Sequence, residues 1–446
     1  MFIKQFVTKN AVLEGTDKSP IPKSNSKNEF VTLLIRLMWV LLIIAVCCCL
    51  YFPNSSSCNG IQDSSTFHRF FVTDAQEGIL RNGSSTEKKI VCYYALPNKG
   101  SSEATMSAKD IDPTLCTHII ISKAKIENST IVPLDEGDLK VYAEVVSLKK
   151  QNPDLHVLLS LGSGFSSLVQ DRMAVAVFGY NAHKFLVTHG FDGLDLDWEF
   201  PVWPSWKKNS KEKNRFAYFV LQLNNALKLA SHPPLLLTAA VGVSKNIIDN
   251  SYEIGQLAKC VDFVSVMGYN YHQFKPYLPF TGHNAPLAKS SQEKGYLATL
   301  NIQWDTLYWM SKGMPKEKLV IGIPTFGRTW KLLNSKWHNV GAPAVAEGMH
   351  EGKITYLEAC IFVKEGAVHY FDNESKVPYA VRDQDWVSYE DTVSIRDKVQ
   401  WILAAGVAGV MTWNLNSDDW AGLCSGKKFE LLNIVKDMLY HSFPKT

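Results

Sequence analysis

The sequence lacks two patterns that would point to a metal cluster or to nucleic acid. None of its 9 cysteines forms a Cys-x-x-Cys pair, which argues against a zinc cluster. Its 46 Lys and Arg against 43 Asp and Glu leave a net charge of only +3, and no basic block interrupts the chain. We therefore expect no nucleic-acid partner. The 446 residues, 46% of them apolar, suit one globular domain of about 250–350 residues with additional segments.

Charged residues are also missing from a long apolar segment near the amino terminus. Residues 31–52 read VTLLIRLMWVLLIIAVCCCLYF, and no charge follows Arg36 within them. As a helix this segment would extend about 30 Å, which matches the hydrocarbon core of a bilayer. A cleaved signal peptide is the alternative. The 30 residues before the segment and the lack of a small-x-small site before Pro53 favour an uncleaved anchor.

The basic residues on either side of this segment predict its orientation. Five Lys precede it, and the next basic residue after it is Arg69. Because the flank rich in Lys and Arg stays in the cytosol, we expect a single-pass type II membrane protein whose bulk is extracellular or luminal. Asn-x-Ser/Thr sequons on that side agree with this topology. We predict glycosylation of Asn54, Asn82, Asn128 and Asn373.

The composition then divides the chain into four parts. Residues 1–30 are predicted to be a cytosolic tail and residues 31–52 a transmembrane signal anchor. Residues 53–87 are rich in Ser, Asn, Gly and Thr, which is typical of a flexible stalk. Residues 88–446 are predicted to form the globular domain.

Eight short apolar segments, rich in β-branched residues, recur within the globular domain. Amphipathic helical patterns such as 139–151 and 215–230 lie between most of them. Apolar strands that alternate with helices indicate a parallel sheet covered by helices, and eight such units predict an α/β fold, the closed (β/α)8 TIM barrel. A longer gap between the seventh and eighth segments predicts a small α+β insertion at 328–390. The segments are 89–95, 117–122, 156–162, 192–200, 235–241, 263–269, 318–326 and 407–413.

The fourth segment contains FDGLDLDWEFP at 191–201, which mixes acids with large apolar residues. In a strand alternate residues face opposite sides, so Asp195, Asp197 and Glu199 share one face. Two leucines and Trp198 share the other face, which suits contact with the helix layer. The acids then point into the barrel. Glu199 lies at the carboxyl end of the strand, where TIM-barrel active sites are built.

Three carboxyl groups in one column cannot all ionise cheaply, so at least one pKa rises. A raised carboxyl pKa suits a general acid near neutral pH, which makes Glu199 a candidate proton donor. The spacing alone also leaves open a divalent-cation site or a structural cluster of acids.

The same segment resembles the DGxDxDxE signature of glycoside hydrolase family 18, the chitinases and chitinase-like lectins. Other segments resemble the strands of that family in the same order over roughly residues 89–440. They include VCYYA, DPTLCTHII, VMGYNYH, GIPTFGRTW and GVMTWNL. The resemblance implies a TIM barrel with an α+β domain between strands seven and eight.

The resemblance also implies roles for individual residues in a retaining, substrate-assisted hydrolysis of β-1,4-linked N-acetylglucosamine polymers. Glu199 would protonate the glycosidic oxygen and then activate water, while Asp197 would orient the acetamido group. Asp195 would hold Asp197, and Tyr269 would hydrogen bond to the acetamido carbonyl. Neither a metal nor another cofactor is implied. The implied sugar-binding residues are Tyr93, Met267, Asn270, Arg328 and Trp413. Trp203 is a further candidate for substrate contact, because it lies on the loop after the acidic motif, which should border the cleft.

The cysteines match the family as well. The resemblance implies two disulfides, Cys92–Cys116 and Cys360–Cys424. Cys260 has no matching partner and is expected to be a buried free thiol. His272 and His283 are expected to be structural.

Four positions depart from the family pattern. The third strand ends in Ser160-Leu161-Gly162-Ser163-Gly164 without the usual Trp, and Lys123 stands near the place of an aromatic residue on the second. Phe326 and Asn270 replace the commoner Tyr and Asp. These changes predict a cleft that holds long chitin less well, because each stacking Trp contributes about 1–3 kcal/mol.

We therefore predict a chitinase that acts on chitin or chito-oligosaccharides, with a membrane-anchored and monomeric barrel. A non-hydrolytic chitin-binding lectin is the alternative. A hydrolase of another glycan that contains N-acetylglucosamine is a further alternative.

Overall fold

The computed structural model describes residues 88–96, 106–203, 211–229 and 233–441. The predicted tail, anchor and stalk lie outside these residues, together with the sequons at Asn54 and Asn82. Among the helices of the described ranges, none is both long and apolar enough to cross a membrane.

The strands alternate with helices along the barrel and cluster together near residues 326–388. In chain order they are β1 Lys89–Ala95, β2 His118–Glu127, β3 Thr130–Val132, β4 His156–Ser163, β5 Gly193–Leu196, β6 Leu236–Val241, β7 Phe263–Val266, β8 Leu319–Pro324, β9 Phe326–Leu332, β10 Ala344–Glu347, β11 Lys353–Thr355, β12 Val368–Asp372, β13 Val377–Arg382, β14 Asp385–Ser388 and β15 Gly409–Trp413.

Eight of these strands form a closed parallel ring. Their order around it is β1, β15, β8, β7, β6, β5, β4 and β2, and β1 pairs with β2 to close the circle. Strand β3 is a short antiparallel addition to the end of β2. Both faces of the barrel strands are covered, and Ile119, Ile120 and Ile121 are fully buried in succession. Such strands read as continuous apolar runs, and the predicted (β/α)8 barrel is confirmed.

Helices cover the outside of this ring. They are α1 Asp138–Val146, α2 Phe165–Leu168, α3 Arg172–His189, α4 Glu212–Leu229, α5 Lys245–Ser251, α6 Ile254–Cys260, α7 Ile302–Ser311, α9 Thr392–Ala405 and α10 Glu430–His441. Helix α8, Tyr356–Lys364, packs instead against strands β9 and β11. The helices predicted at 139–151 and 215–230 correspond to α1 and α4. Helix α3 begins after Asp171, whose side chain accepts a hydrogen bond from the Met173 amide, and ends at Gly190 with φ of 72°.

The fourth barrel strand is shorter than the sequence predicts. Its pairing with β6 ends at Leu196, opposite Ala239, so the prediction of a strand through residue 200 is wrong. The Asp197 amide still donates to the Leu161 carbonyl at 2.9 Å, which continues the strand geometry for one residue. Glu199 therefore lies on the loop beyond the strand, at the carboxyl end of the barrel.

A second sheet, antiparallel throughout, lies between Phe326 and Ser388. Its order is β10, β9, β14, β13 and β12, and β11 also pairs with β9. Trp330, Tyr379 and Trp386 belong to an apolar cluster on one side, and Phe362 of α8 belongs to a separate one. The sequence predicted an α+β insertion at 328–390, and the first strand of this sheet begins two residues earlier.

The two predicted disulfides are present. Cys92–Cys116 links β1 to the residues before β2, and Cys360–Cys424 links α8 to the segment after β15. In both pairs the Cα atoms lie 6.1 Å apart, within the range that disulfides require. Cys260 is a buried free thiol, as expected.

A buried ion pair joins the exit of the second sheet to helix α9. The Lys398 Nζ lies 2.6 Å from Glu390 Oε1, and both side chains are at most 1% exposed. Ser394 donates a further hydrogen bond of 2.7 Å to Glu390 Oε2. Because two charges without solvent depend on each other, loss of one partner leaves the other unpaired.

We predict that Lys398→Met lowers the free energy of unfolding by about 3–5 kcal/mol, since it strands the Glu390 carboxylate. The measurement is urea denaturation of the barrel domain followed by Trp fluorescence. The double variant Lys398→Met with Glu390→Leu should recover much of the loss. A double variant as unstable as the single one would contradict this account.

Candidate active site

The acidic column predicted from FDGLDLDWEFP is present at the carboxyl end of the barrel. Asp195 is fully buried in β5, Asp197 is 2% exposed immediately after it, and Glu199 is exposed. Leu194 and Leu196 are buried on the opposite face of the strand. The burial of the three acids therefore decreases stepwise from the barrel interior toward solvent.

The apolar side of the same segment packs outward as predicted. The Trp198 ring stacks on Phe165 of α2, with centroids 5.2 Å apart and an interplanar angle of 4°. It also meets Phe216 of α4 edge-on at 5.7 Å. These contacts hold the acid-bearing segment against the helix layer.

Three hydroxyl groups from three other strands surround the Asp195 carboxylate. The Thr238 hydroxyl donates to Oδ1 at 2.7 Å, and the Ser160 hydroxyl donates to Oδ2 at 2.8 Å. The Tyr93 hydroxyl donates to Oδ2 at 2.9 Å. Ser160 and Thr238 lie directly beside Asp195 in the ladders of β4 and β6, whereas Tyr93 comes from β1, which does not pair with β5.

Burial and, to a smaller extent, the negative charge of Asp197 raise the pKa of Asp195 to about 6. The three hydroxyl donors oppose that rise because they stabilise the ionised form. The pKa of Asp195 therefore stays above that of an ordinary aspartate in spite of its three donors.

Asp197 forms an ion pair with Lys123, which lies on β2. The Lys123 Nζ is 3.2 Å from Asp197 Oδ2. Burial raises the pKa of Asp197, and the Lys123 charge and hydrogen bond oppose that rise. An ammonium group in the column also disfavours the divalent-cation site that the spacing left open, because it would repel a second cation.

Glu199 lies at the mouth of the barrel, where the predicted proton donor should stand. Enclosure by the surrounding groups raises its pKa, and the negative charge of Asp197 raises it further. Lys123 opposes this rise. The carboxyl group is thus both accessible and biased toward its protonated form, as general acid catalysis requires.

Tyr269 is 6% exposed and follows β7 at the same end of the barrel. Burial, followed by the charges of Asp197 and Glu199, raises its pKa well above the ordinary value. The hydroxyl therefore stays neutral and keeps its proton as a potential hydrogen-bond donor. Its ring meets Phe326 edge-on at 5.6 Å.

The predicted sugar-binding aromatics occupy different environments. Trp413 is partly buried at the end of β15, and its ring centroid lies 5.1 Å from that of Tyr93. Trp203 is 56% exposed on the loop after Glu199, and Met267 is partly buried after β7. Tyr93 is 1% exposed and its hydroxyl donates to Asp195, while its contact with sugar stays a prediction. We assign Tyr93 to the support of Asp195.

Arg328 and Asn270, also predicted to contact sugar, bind each other. The Arg328 Nε and Nη2 groups donate to Asn270 Oδ1 at 2.9 and 2.7 Å. Arg328 belongs to β9 of the second sheet, whereas Asn270 follows barrel strand β7 and has a φ of 62°. The pair therefore connects the two sheets beside the predicted cleft.

The two histidines have structural contacts, as expected. His283 Nε2 lies 3.0 Å from Asp372 Oδ2, and His272 Nδ1 lies 3.0 Å from the His283 carbonyl oxygen. The sequons at Asn128 and Asn373 are exposed, and their glycosylation stays a prediction.

Sequence reasoning assigned no role to Ser160 or Thr238. Each is a hydroxyl residue within an otherwise apolar strand segment, HVLLSLG or LLLTAAV. A single hydroxyl in a strand that is buried on both faces must have a hydrogen-bond partner. This requirement could have indicated that the two residues contact a buried polar group.

We predict that Thr238→Val destabilises the barrel by about 1.5–3 kcal/mol at neutral pH, because it removes a hydrogen bond to a buried carboxylate. Thr238 lowers the folded-state pKa of Asp195, so its loss raises that pKa further above the unfolded value. The destabilisation should therefore be largest above about pH 6 and shrink below it, where Asp195 is protonated. Urea denaturation across this pH range measures the effect.

Thr412→Val is the matched control for this experiment. Thr412 is a buried residue of β15 whose hydroxyl has no hydrogen-bond partner among the described residues. Its replacement should have a smaller effect with no dependence on pH near 6. Equal pH dependence in the two variants would contradict the assignment.

Comparison with known proteins agrees with this geometry. The model for glycosyl hydrolases family 18 matches residues 89–418. Chitotriosidase-1 of Mus musculus is 34% identical over 369 residues, which cover 79% of this chain and 78% of the relative. The immunomodulatory active chitinase TsES1 of Trichuris suis superposes with a TM-score of 0.74 at 30% identity, over 79% of this chain and all of that one.

Another similar structure is that of a protein described as catalytically different. Human YKL-39, described as a pseudo-chitinase with retained chitooligosaccharide-binding properties, superposes with a TM-score of 0.73 at 35% identity. The match covers 79% of this chain and 99% of that one. The family model covers all the barrel strands and the whole acidic column. The similar structures include both an active chitinase and a pseudo-chitinase. The chain belongs to glycosyl hydrolases family 18.

Proposed function

We propose that this protein hydrolyses β-1,4-linked N-acetylglucosamine polymers, chitin or chito-oligosaccharides, by a retaining, substrate-assisted mechanism. The column of Asp195, Asp197 and Glu199 carries the proposal. It ends in an accessible carboxyl group with a raised pKa, on a barrel of a family that includes active chitinases.

Glu199 begins the reaction as general acid. It donates its proton to the glycosidic oxygen while the bond from that oxygen to the anomeric carbon breaks. The acetamido carbonyl oxygen of the same sugar attacks the anomeric carbon and forms an oxazolinium ion. An attached nucleophile in the correct position gains a large advantage over one from solution.

Asp197 and Tyr269 bind and orient the acetamido group. The Asp197 carboxylate accepts a hydrogen bond from the acetamido N–H and stabilises the positive charge of the oxazolinium ion. The neutral Tyr269 hydroxyl donates to the acetamido carbonyl. Asp195 is held by its three hydroxyl donors and acts on Asp197 through its charge.

The second half of the reaction restores the sugar. The ionised Glu199 removes a proton from water, and the water oxygen attacks the anomeric carbon as the oxazoline ring opens. Two inversions at the same carbon retain its configuration. Trp413 supports the sugar ring, and Trp203, Met267, Arg328 and Asn270 border the cleft.

A non-hydrolytic chitin-binding lectin is the second candidate. The Lys123–Asp197 ion pair favours it, because Asp197 already has a partner at 3.2 Å and an aromatic platform is replaced by a charge. Hydrolysis of another glycan that contains N-acetylglucosamine is compatible with the same column.

We further propose that residues 31–52 anchor the protein as a type II membrane protein with the barrel outside the cytosol. The two disulfides support this, because structural disulfides persist in oxidising compartments.

We predict that Glu199→Gln lowers turnover of a fluorogenic chitotriose glycoside by about 10²–10⁴-fold, since the proton donor is lost. Affinity for chitotriose should stay within a few-fold of the parent, because Gln keeps the shape of the side chain. The measurements are steady-state kinetics and isothermal titration calorimetry on the barrel domain.

Glu317→Gln is the matched control, because Glu317 is exposed just before β8, at the opposite end of the barrel. It should behave like the parent. Equal turnover in the parent and Glu199→Gln would reject the hydrolase, and undetectable turnover with intact binding would favour the lectin. A first product of inverted configuration, detected by NMR, would reject the retaining mechanism.

We predict that protease added to intact cells digests the barrel of the surface-exposed population, while an epitope tag within residues 1–30 stays protected until the membrane is permeabilised. Immunoblots against both ends measure this. Protection of the barrel in cells that carry the protein at their surface would contradict the topology.

A further inference from the structure

Lys123 is a cation inside the acidic column that the mechanism above does not use. It lies on β2, at the same end of the barrel as the acids, and its Nζ is 3.2 Å from Asp197 Oδ2. The Lys123 side chain is 36% exposed, whereas that of Asp197 is 3% exposed. The ion pair thus joins a cation at the cleft surface to a carboxylate beneath it.

A second lysine of the same strand shows that this pair is unusual. Lys125 is also partly exposed, at 38%, but its partner is Glu127, which is itself 51% exposed. Such surface pairs contribute little to stability or to the charge state of either group. Asp197, in contrast, has almost no solvent to stabilise its charge.

The neighbouring strand provides a place for the Lys123 side chain. Gly162 of β4 lies against it, and a Cβ atom at that position would be 1.9 Å from Lys123 Cδ and 2.9 Å from Nζ. The approach of Lys123 to Asp197 therefore depends on the missing side chain at residue 162. Any larger residue there would displace the ammonium group.

The other oxygen of Asp197 is left for a different partner. Asp197 Oδ1 is buried and has no hydrogen-bond partner among the described residues. Lys123 is the cation that interacts with the Asp197 carboxylate. The other titratable groups of the described residues that interact with it are acids or tyrosines. They are Asp195 of β5, Glu199, Tyr93 of β1, Tyr252 after α5 and Tyr269 after β7.

We propose that Lys123, whose side chain lies against Gly162, is a positioning residue that holds Asp197 as an anion and leaves Asp197 Oδ1 free to accept the acetamido N–H of the substrate. The inference rests on the proposed function, because it assumes that the ligand is an N-acetylated sugar.

The charge on Lys123 has a defined effect on the pH dependence of the site. It lowers the pKa of Asp197 and also lowers that of Glu199. Removal of the charge raises both. Binding that needs ionised Asp197 then fails at a higher pH on the acid side, and proton donation by Glu199 persists to a higher pH on the basic side.

We predict that Lys123→Met shifts the pH dependence of sugar binding toward higher pH. The test uses the Glu199→Gln background, in which the sugar is bound but not cleaved. Affinity for tetra-N-acetylchitotetraose is measured by isothermal titration calorimetry between about pH 4 and 8. An opposite charge at this distance generally shifts a carboxyl titration by about one to three pH units. Because Lys123 is partly exposed, we expect a shift near the lower end.

Three further variants separate the charge from packing. Lys123→Arg should restore the parent curve, since it keeps the cation. Gly162→Ala should shift the curve in the same direction as Lys123→Met, because it displaces the ammonium group. Lys125→Met, the matched control on β2, should leave the curve unchanged.

Superposition of the Lys123→Met curve on that of its parent would overturn the inference. So would a shift of equal size in Lys125→Met. The result is independent of turnover: a shifted binding curve in a protein that cleaves no chitotriose glycoside supports the role of Lys123 and rejects the hydrolase. If the protein hydrolyses the substrate, the acidic and the basic limb of the plot of kcat/KM against pH should both shift to higher pH in Lys123→Met.

Discussion

The carboxylate of Asp195 has no contact with solvent, and its charge depends on three hydroxyl groups. A buried anion without donors would cost several kcal/mol or would simply be protonated. The donors belong to β1, β4 and β6, so they reach Asp195 only when the ring of strands is closed and in register. The site and the fold therefore share one condition. A slip of one residue between β5 and β6 would move Thr238 to the opposite face.

From Asp195 to Glu199 the exposure of the acids to solvent increases in steps, and the groups that surround each acid differ. Asp195 is enclosed by hydroxyls, Asp197 meets an ammonium group, and Glu199 opens to the cleft. Each acid influences the next, because the charge of Asp197 raises the pKa of both Asp195 and Glu199. One strand and three residues beyond it thus carry a supported anion, an orienting carboxylate and a proton donor.

The second sheet contributes to the site through a connection of its own. Arg328 of β9 donates to Asn270, which follows barrel strand β7, and the Cys360–Cys424 disulfide links α8 to the chain after β15. The buried Lys398–Glu390 pair lies where the chain returns from this sheet to the barrel. These links join the inserted segment to the barrel at several separate points. The inserted segment therefore belongs to the same folded unit as the barrel.

Much of the molecule could be predicted from the sequence because its signals are local. Period-two alternation along residues 193–199 placed the three acids on one face, and eight apolar segments between helical patterns predicted the barrel. The resemblance implied the two disulfides that the structure contains. The extent of β5 could not be predicted, since the strand ends where its neighbour stops pairing, at Leu196 and Ala239.

By itself the sequence determined which side chains lie next to one another along a strand, since that follows from backbone geometry alone. Only the tertiary structure decided what each acid meets across the barrel. Tyr93 was predicted to contact sugar, and in the structure its hydroxyl binds Asp195, 102 residues away. From the sequence, Lys123 was only the replacement of an aromatic residue, yet in the structure it pairs with Asp197, 74 residues away. Contacts of this kind depend on the closure of the ring and on the missing side chain of Gly162, and neither is visible in the spacing of residues along one segment.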